Sequence, residues 1–301
     1  MDANKGSLTA LVTAFIRAYH AANDTPKVFD DFWAKKLFTE EESSRMQRDL
    51  AACHPFYYPE QAAPDEATAL DRVIRLQMST PLCRARYTED CLEDAVRADA
   101  AQYVILGAGM DTYAFRRPDM AGRIRIFEVD HPATQDFKRR RLAERGWDIP
   151  GHLHFVPFDF TEGSFATALG QAAYSPRKPG FFSWLGVTYY LPRADLLHTL
   201  QTLAQNAPSG SAVVFDYFDA DAFDPEKADK RMQAIQAIVR YAGEPMQTGF
   251  DPETLANDLA AVGLVLKEDL GTEQLSARYF AGRTDGLRAN PHVHLARAVV
   301  A

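Results

Sequence analysis

Tyr103-Val104-Ile105-Leu106-Gly107-Ala108-Gly109-Met110-Asp111 is the stretch on which the reading of this 301-residue chain turns. Four apolar residues, two of them β-branched, are too few for a buried helix and suit a strand covered on both faces. The glycines that follow permit a sharp turn and let a ligand approach the backbone. Further along, residues 124–129, 154–157, 180–185 and 212–215 repeat the pattern of a short apolar run. Helical segments at 133–145 and 193–205 separate several of them. Strands alternating with helices predict a parallel sheet with helices on both faces. Residues 264–266 and 293–295 offer two more strands, which makes seven.

The first hundred residues read differently. Leu8, Leu11, Val12, Phe15, Ile16 and Tyr19 recur at helical spacing. Further helices are expected over 29–38, after Thr39 with Glu40, Glu41 and Glu42 in the first turn, and over 65–79 and 88–98. Pro55, Pro59 and Pro64 mark an irregular stretch between them. The division is therefore a helical addition at 1–100 and an α/β domain at 101–301. Residues 219–249, helical to 241 and then punctuated by Gly243, Pro245 and Gly249, read as a lid or a cover for the sheet.

Composition narrows the function. A net charge of −8 and a pI near 5.5 argue against nucleic acid as partner. The one basic run, Lys138-Arg139-Arg140-Arg141, reads as the solvated face of a helix. No run approaches the roughly 18 apolar residues of a membrane span, and no signal peptide is legible, so the expected location is the cytoplasm, without a membrane partner. Cys53, Cys83 and Cys91 form no CxxC pair, and no HExxH motif occurs, so no metal is expected.

In open α/β sheets the ligand crevice lies at the carboxyl ends of the strands. Glu128-Val129-Asp130 ends the second strand, and an acid roughly 20 residues after the glycine loop accepts hydrogen bonds from ribose hydroxyls. Two cofactors suit that pair: a nicotinamide dinucleotide and S-adenosylmethionine. A dinucleotide loop needs a third small residue where this chain has Thr112, and Asp111 is a poor neighbour for pyrophosphate. S-adenosylmethionine carries no phosphate, so it is the better match.

YVILGAGMDTYAFR (103–116), IFEVDHPATQDFKRRRL (126–142) and FFSWLGVTYYL (181–191) closely resemble the leucine carboxyl methyltransferase-like family, which includes bacterial O-methyltransferases of secondary metabolism. The ordered resemblance runs from about Arg17 to the C-terminus. It implies a class I, Rossmann-like methyltransferase fold: a seven-stranded, mostly parallel sheet whose last strand is antiparallel, with a helical N-terminal addition and a helical lid. It implies that Arg84, or its neighbour Arg86, meets the methionine carboxylate of the cofactor, for which a forked guanidinium is suited. It further implies loop contacts at Gly107 and Gly109, a ribose acceptor at Asp130, and an adenine site at Asp159-Phe160. Arg17-Ala18 with Phe29-Asp30-Asp31 matches a segment that closes over the cofactor, with Phe32 where the family has proline. Leu185 stands in the cofactor wall where many members carry glutamate before glycine, which makes the local site more apolar and removes a possible acid–base group.

The resulting expectation is a methyltransferase that acts on a carboxylate or hydroxyl of a small, polyketide- or peptide-like molecule, as a monomer or homodimer. Tyr189, Arg278 and Tyr279 are the catalytic or substrate-orienting candidates, with Tyr190, Asp111, His131 and Arg283 near them in rank. Arg278 and Arg283 would grip an anionic substrate. The rival readings are an NAD(P)-dependent oxidoreductase and a non-catalytic cofactor-binding relative.

Overall fold

A computed structural model describes residues 7–160, 165–241 and 243–301. The helical addition opens with α1 (Leu8–Asn23), whose N-cap Ser7 accepts from the Ala10 amide. After α1 comes a 3-10 turn at Ala34–Leu37, then α2 (Glu40–Ala52), closed at its start by a capping box between Thr39 and Glu42. The helix expected over 29–38 is only that short turn. The Asp31 carboxylate caps it at the Ala34 amide and is otherwise taken by Arg17 and Thr112, which holds the segment in an irregular course. The proline-marked stretch contains one extra helical turn, α3 (His54–Tyr57).

Two expected helices are one. The 32-residue α4 (Glu66–Arg97) is about 48 Å long and runs through Pro81. A mid-helix proline forfeits a hydrogen bond and costs about 3 kcal/mol. Burial of Val73, Ile74, Met78, Leu82, Tyr87 and Leu92 along the helix offsets that cost.

The α/β part runs β1 (Gln102–Leu106), α5 (Tyr113–Arg116), β2 (Arg125–Asp130), α6 (Pro132–Glu144), β3 (Leu153–Pro157), α7 (Phe165–Gln171), β4 (Gly180–Trp184), α8 (Arg193–Gln205), β5 (Ala212–Phe218), α9 (Lys230–Tyr241), α10 (Leu255–Ala261), β6 (Leu264–Leu270), α11 (Thr272–Leu275) and β7 (Val293–Val300). The strand order is β3-β2-β1-β4-β5-β7-β6, with β7 antiparallel to both its neighbours. This is the expected sheet, antiparallel last strand included. Residues 219–241 are not one helix: Pro225 lies in a turn between a 3-10 segment at Ala220–Phe223 and α9.

Strand alternation builds two cores. Tyr103, Ile105, Phe181 and Val214 face one side of the sheet, in the same cluster as Phe15, Val73, Leu82 and Tyr87 of the helical addition. Val104, Leu106, Phe182, Trp184 and Phe215 face the other, against Leu196 and Leu200 of α8. The order of strands reverses between β1 and β4, so a crevice opens at their carboxyl ends. No helix among the described residues is long and apolar enough to cross a membrane.

Candidate functional site

A cavity of about 520 Å³ occupies that crevice, within the range of pockets for small organic ligands. Its floor is the glycine loop. Gly107 and Gly109 have φ of +69° and +50°, a left-handed backbone that favours glycine. Gly107 has a second constraint: a Cβ there would stand 2.3 Å from Cγ2 of Val187. The sequence suggested the first constraint only.

Asp130, at the end of β2, accepts from the Gly109 amide at 2.5 Å through one oxygen and from the His131 amide at 2.7 Å through the other. Burial raises its carboxyl above the usual range, against the two amides. Each oxygen keeps a further lone pair, and Asp130 lines the cavity. His131 caps α6 through Nδ1, which places the proton on Nε2, 3.5 Å from Asp159. Asp159 and Phe160 line the same wall, where Phe160 stacks on Trp184.

Glu128 points away from the cavity. It is buried against Lys138 Nζ at 2.6 Å, and the same ammonium donates to the Asp111 carbonyl, which stiffens the loop from behind. The basic run is therefore only half a solvated face. Lys138 is buried, and Arg141 donates to Glu42 and to the Leu37 carbonyl, tying α6 to the helical addition. Burial outweighs the attraction of Lys138 and pushes the Glu128 carboxyl up to about 7. Below pH 4.5 folded and unfolded chains both hold that proton. Between 4.5 and about 7 the unfolded chain loses it first, so stability falls as pH rises through this window. In urea titrations the double variant Glu128→Gln/Lys138→Met, which keeps the volume and removes both charges, should lack that component of the slope. An unchanged slope would show that Glu128 is not its source.

The opposite wall comes from α4. Pro81, Arg84, Ala85, Thr88 and Glu89 share one face of the helix and line the cavity. Arg84 donates through Nη1 to Asp216 at 2.9 Å and to the Tyr189 hydroxyl at 3.3 Å. Asp216 is buried within β5, two residues before its end, and also accepts from the Gly186 amide at 2.6 Å. Gly186, with φ of +73°, leaves room for the guanidinium: a Cβ there would lie 2.7 Å from Nη2 of Arg84. Arg86 is exposed and pairs with Asp90, so of the two arginines it is Arg84 that faces the cavity. Leu185 lines the wall beside Gly186. Arg17 donates to Asp31 and to the Met110 carbonyl, while Arg116 pairs with Asp31 and Glu89. The Arg17 and Asp31 segments thus close over the cavity, and Phe32 is exposed at the surface.

Of the catalytic candidates, Tyr189 lines the cavity together with Tyr190, Asp111 and His131. Burial pushes the Tyr189 phenol up to about 12, so it is a proton donor and not a base at neutral pH. Arg278 and Tyr279 lie outside it. They belong to a helical turn at Ser276–Phe280, where the Arg278 guanidinium sits 5.2 Å from the Tyr87 ring and 3.6 Å from Glu268. Arg283 is spent on Asp285 and the Pro26 carbonyl. Arg278 is drawn instead to Tyr87 of α4 and Glu268 of β6, and Arg283 to the chain before α2. Sequence reasoning missed Asp216, whose signal was a lone acid among the aromatic residues of Phe215-Asp216-Tyr217-Phe218, and Glu244. Glu244 lines the mouth and accepts from Thr9 Oγ1 at 2.8 Å and Ser7 Oγ at 3.3 Å. Among the described residues no group of acidic, histidine or cysteine side chains is arranged to hold a metal.

Residues 10–204, well over half of the chain, match the family model of the leucine carboxyl methyltransferases. The chain belongs to that family. With it the chain is an S-adenosylmethionine-dependent methyltransferase. It is 39% identical over 303 residues to "Putative S-adenosyl-L-methionine-dependent methyltransferase YktD" of Bacillus subtilis (strain 168), with 99% of each chain covered. A protein of Mycobacterium ulcerans (strain Agy99) with the same description, lacking only the final name, is 29% identical over 81% of this chain and 76% of its own. Among solved structures, a DUF574-family protein from Streptomyces avermitilis has the same fold, with a TM-score of 0.55 and 15% identity over 85% of this methyltransferase and 99% of that chain.

Proposed function

We propose that this methyltransferase moves the methyl group of S-adenosylmethionine to a hydroxyl oxygen of a small molecule held in the cavity at the carboxyl ends of β1 and β4. One observation carries this reading: a single cavity joins Arg84, Gly107, Gly109, Asp130, Asp159, Phe160 and Leu185, and continues past them to Tyr189 and Tyr190. The donor set fits the cofactor. A guanidinium suits its carboxylate, the Asp130 lone pairs suit a ribose diol, and Asp159 beside the Phe160 ring suits an aminopurine. Thr88 Oγ1, buried in the same wall without a partner, is a further polar atom awaiting a ligand.

The cofactor supplies an electrophilic methyl group on a sulfonium, so the residues act chiefly by alignment. Holding reactants in line is worth roughly 7–11 kcal/mol of barrier. Arg84 orients Tyr189, whose phenol can hydrogen-bond the acceptor oxygen; the O–CH3 bond forms as the S–CH3 bond breaks, and the hydroxyl proton passes to the Asp111 carboxylate, which lines the same cavity. The family's description favours oxygen as acceptor. A hydroxyl suits this cavity better than a carboxylate, because Arg17 and Arg116 are committed to buried carboxylates and Arg84 to Asp216 and, in this reading, the cofactor's own carboxylate. A cofactor-binding relative without catalysis would bind S-adenosylhomocysteine and transfer no label from methyl-labelled cofactor to any small-molecule pool.

Asp130 gives the direct test of the cofactor site. Loss of hydrogen bonds to a charged acceptor costs about 1.5–3 kcal/mol, so Asp130→Ala should bind S-adenosylhomocysteine roughly tenfold to 150-fold more weakly in calorimetry. The structure adds a second effect. The Gly109 and His131 amides lose their acceptor, so the loop should also exchange its amide protons faster. Wild-type affinity in a folded variant would remove Asp130 from the site.

A further inference from the structure

The mouth of the cavity differs in charge from its interior. Inside, each lining arginine is matched by a buried carboxylate. At the mouth stand Tyr190, Gln247, Thr13 and Glu244, and the carboxylate is the one ionisable acid or base of that set besides the Tyr190 phenol. Among the described residues no lysine, arginine or histidine comes within ion-pairing distance of Glu244. Its contacts are the neutral hydroxyls of Ser7 and Thr9. These hydroxyls lie at the start of α1, where the helix dipole favours an anion, and they hold the group in a fixed orientation. The Gln247 side chain is turned back onto the Tyr190 carbonyl at 2.8 Å and its amide onto the Tyr189 carbonyl at 2.7 Å, which fixes the segment carrying Glu244 against the two tyrosines. The tyrosine rings are 4.7 Å apart. Burial and the neighbouring Tyr189, with Glu244 after them, keep the Tyr190 phenol protonated.

A carboxylate with no cation partner among the described residues, in one cavity wall with a tyrosine ring, is a pairing that recognises a protonated amine, through a charge-assisted hydrogen bond and a cation–π contact. An anionic molecule would meet repulsion there and find no spare guanidinium further in. From this we infer that the methyl acceptor is a cation: a small molecule that carries a protonated amine, gripped at the cavity mouth by Glu244 beside Tyr190. The inference rests on the methyltransferase reading of the cavity and names the class of its substrate. It assigns Glu244 as a specificity residue, at a position where the family resemblance marks nothing.

The test uses two phenols of the same size and opposite charge, tyramine and 4-hydroxyphenylacetate, titrated in a calorimeter into the full-length protein saturated with S-adenosylhomocysteine. Tyramine should bind at least about tenfold more tightly than the acid. Glu244→Gln should bring the two within about twofold while leaving the affinity for S-adenosylhomocysteine as in the wild type. Glu244→Lys should reverse the order. The inference is overturned if the acid binds as well as the amine, if the preference survives in Glu244→Gln, or if neither phenol binds to protein that has taken up S-adenosylhomocysteine. If S-adenosylhomocysteine itself does not bind, the cofactor reading falls and this one falls with it.

Discussion

Replacing Arg84 with alanine should cost the protein both its grip on the cofactor and several kcal/mol of stability. The guanidinium pairs with Asp216 on the protein side, and at the proposed cofactor site it would also meet the amino-acid tail of the cofactor on the cavity side. Its removal leaves Asp216, buried within β5, with only the Gly186 amide. Breaking a buried pair from one side typically costs about 3–5 kcal/mol. Loss of the charge-assisted bonds to the ligand adds about 1.5–3 kcal/mol to its dissociation, roughly tenfold to 150-fold in affinity. Arg84→Lys separates the two effects. A single ammonium on a flexible stem can stay with Asp216 but cannot fork onto a second carboxylate, so stability should largely return while affinity for S-adenosylhomocysteine stays low. Adenosine, which lacks the tail, should bind wild type and Arg84→Lys alike. Equal losses for both ligands would mean that Arg84 acts on the fold alone. Because Arg86 is exposed and paired with Asp90, Arg86→Ala should change neither.

Gly107→Val should damage the empty protein as well as the site. A left-handed backbone costs an ordinary residue about 1–2 kcal/mol, and a β-branched one more. The added carbon also meets Val187 at 2.3 Å, and overpacking of that kind costs about 1–3 kcal/mol. Together these are a large share of the roughly 5–15 kcal/mol that holds a domain folded. The expected result is a lower urea midpoint and no measurable binding of S-adenosylhomocysteine. The steric part has its own test. Gly107→Ala should be partly rescued by Val187→Ala, with a coupling energy well outside the roughly 0.3–0.5 kcal/mol error of additivity. Absence of coupling would leave the backbone conformation as the whole effect.

These two positions also mark what was legible in the sequence. The glycine loop and all seven strands could be read, because short apolar runs ended by turn residues have few other meanings in a chain of this length. Their ends could not. The apolar run of the fifth strand stops at Asp216, yet β5 continues to Phe218, since the acid is satisfied by Arg84 from a helix over a hundred residues away. The helix expected over 65–79 does not stop there, because burial along α4 carries it through Pro81. Lys138 looked like a surface residue, since nothing in its neighbourhood announces the buried Glu128 across the α6–β2 contact. Arg278 and Tyr279 were misread for a related reason. Their block resembles the family's, but resemblance does not say what it packs against. The resemblance singles out Arg84, and the geometry gives an arginine its place there: it fills the space that Gly186 leaves.

The walls of the cavity come from parts of the chain that are far apart in sequence: the first turn of α1, the middle of α4, the loops after β1, β2 and β4, and the segment around Glu244. The Ser7 and Thr9 hydroxyls reach across the mouth to Glu244 and draw the first and last of these together. A molecule that touches all of them is bound only by the folded chain, so every occupant adds to the work of unfolding. At a hundredfold excess over its dissociation constant that addition is about 2.7 kcal/mol. A melting curve therefore reports occupancy without any turnover, and a rise on adding a compound to protein already holding S-adenosylhomocysteine would single out acceptors from a mixed collection before their chemistry is known.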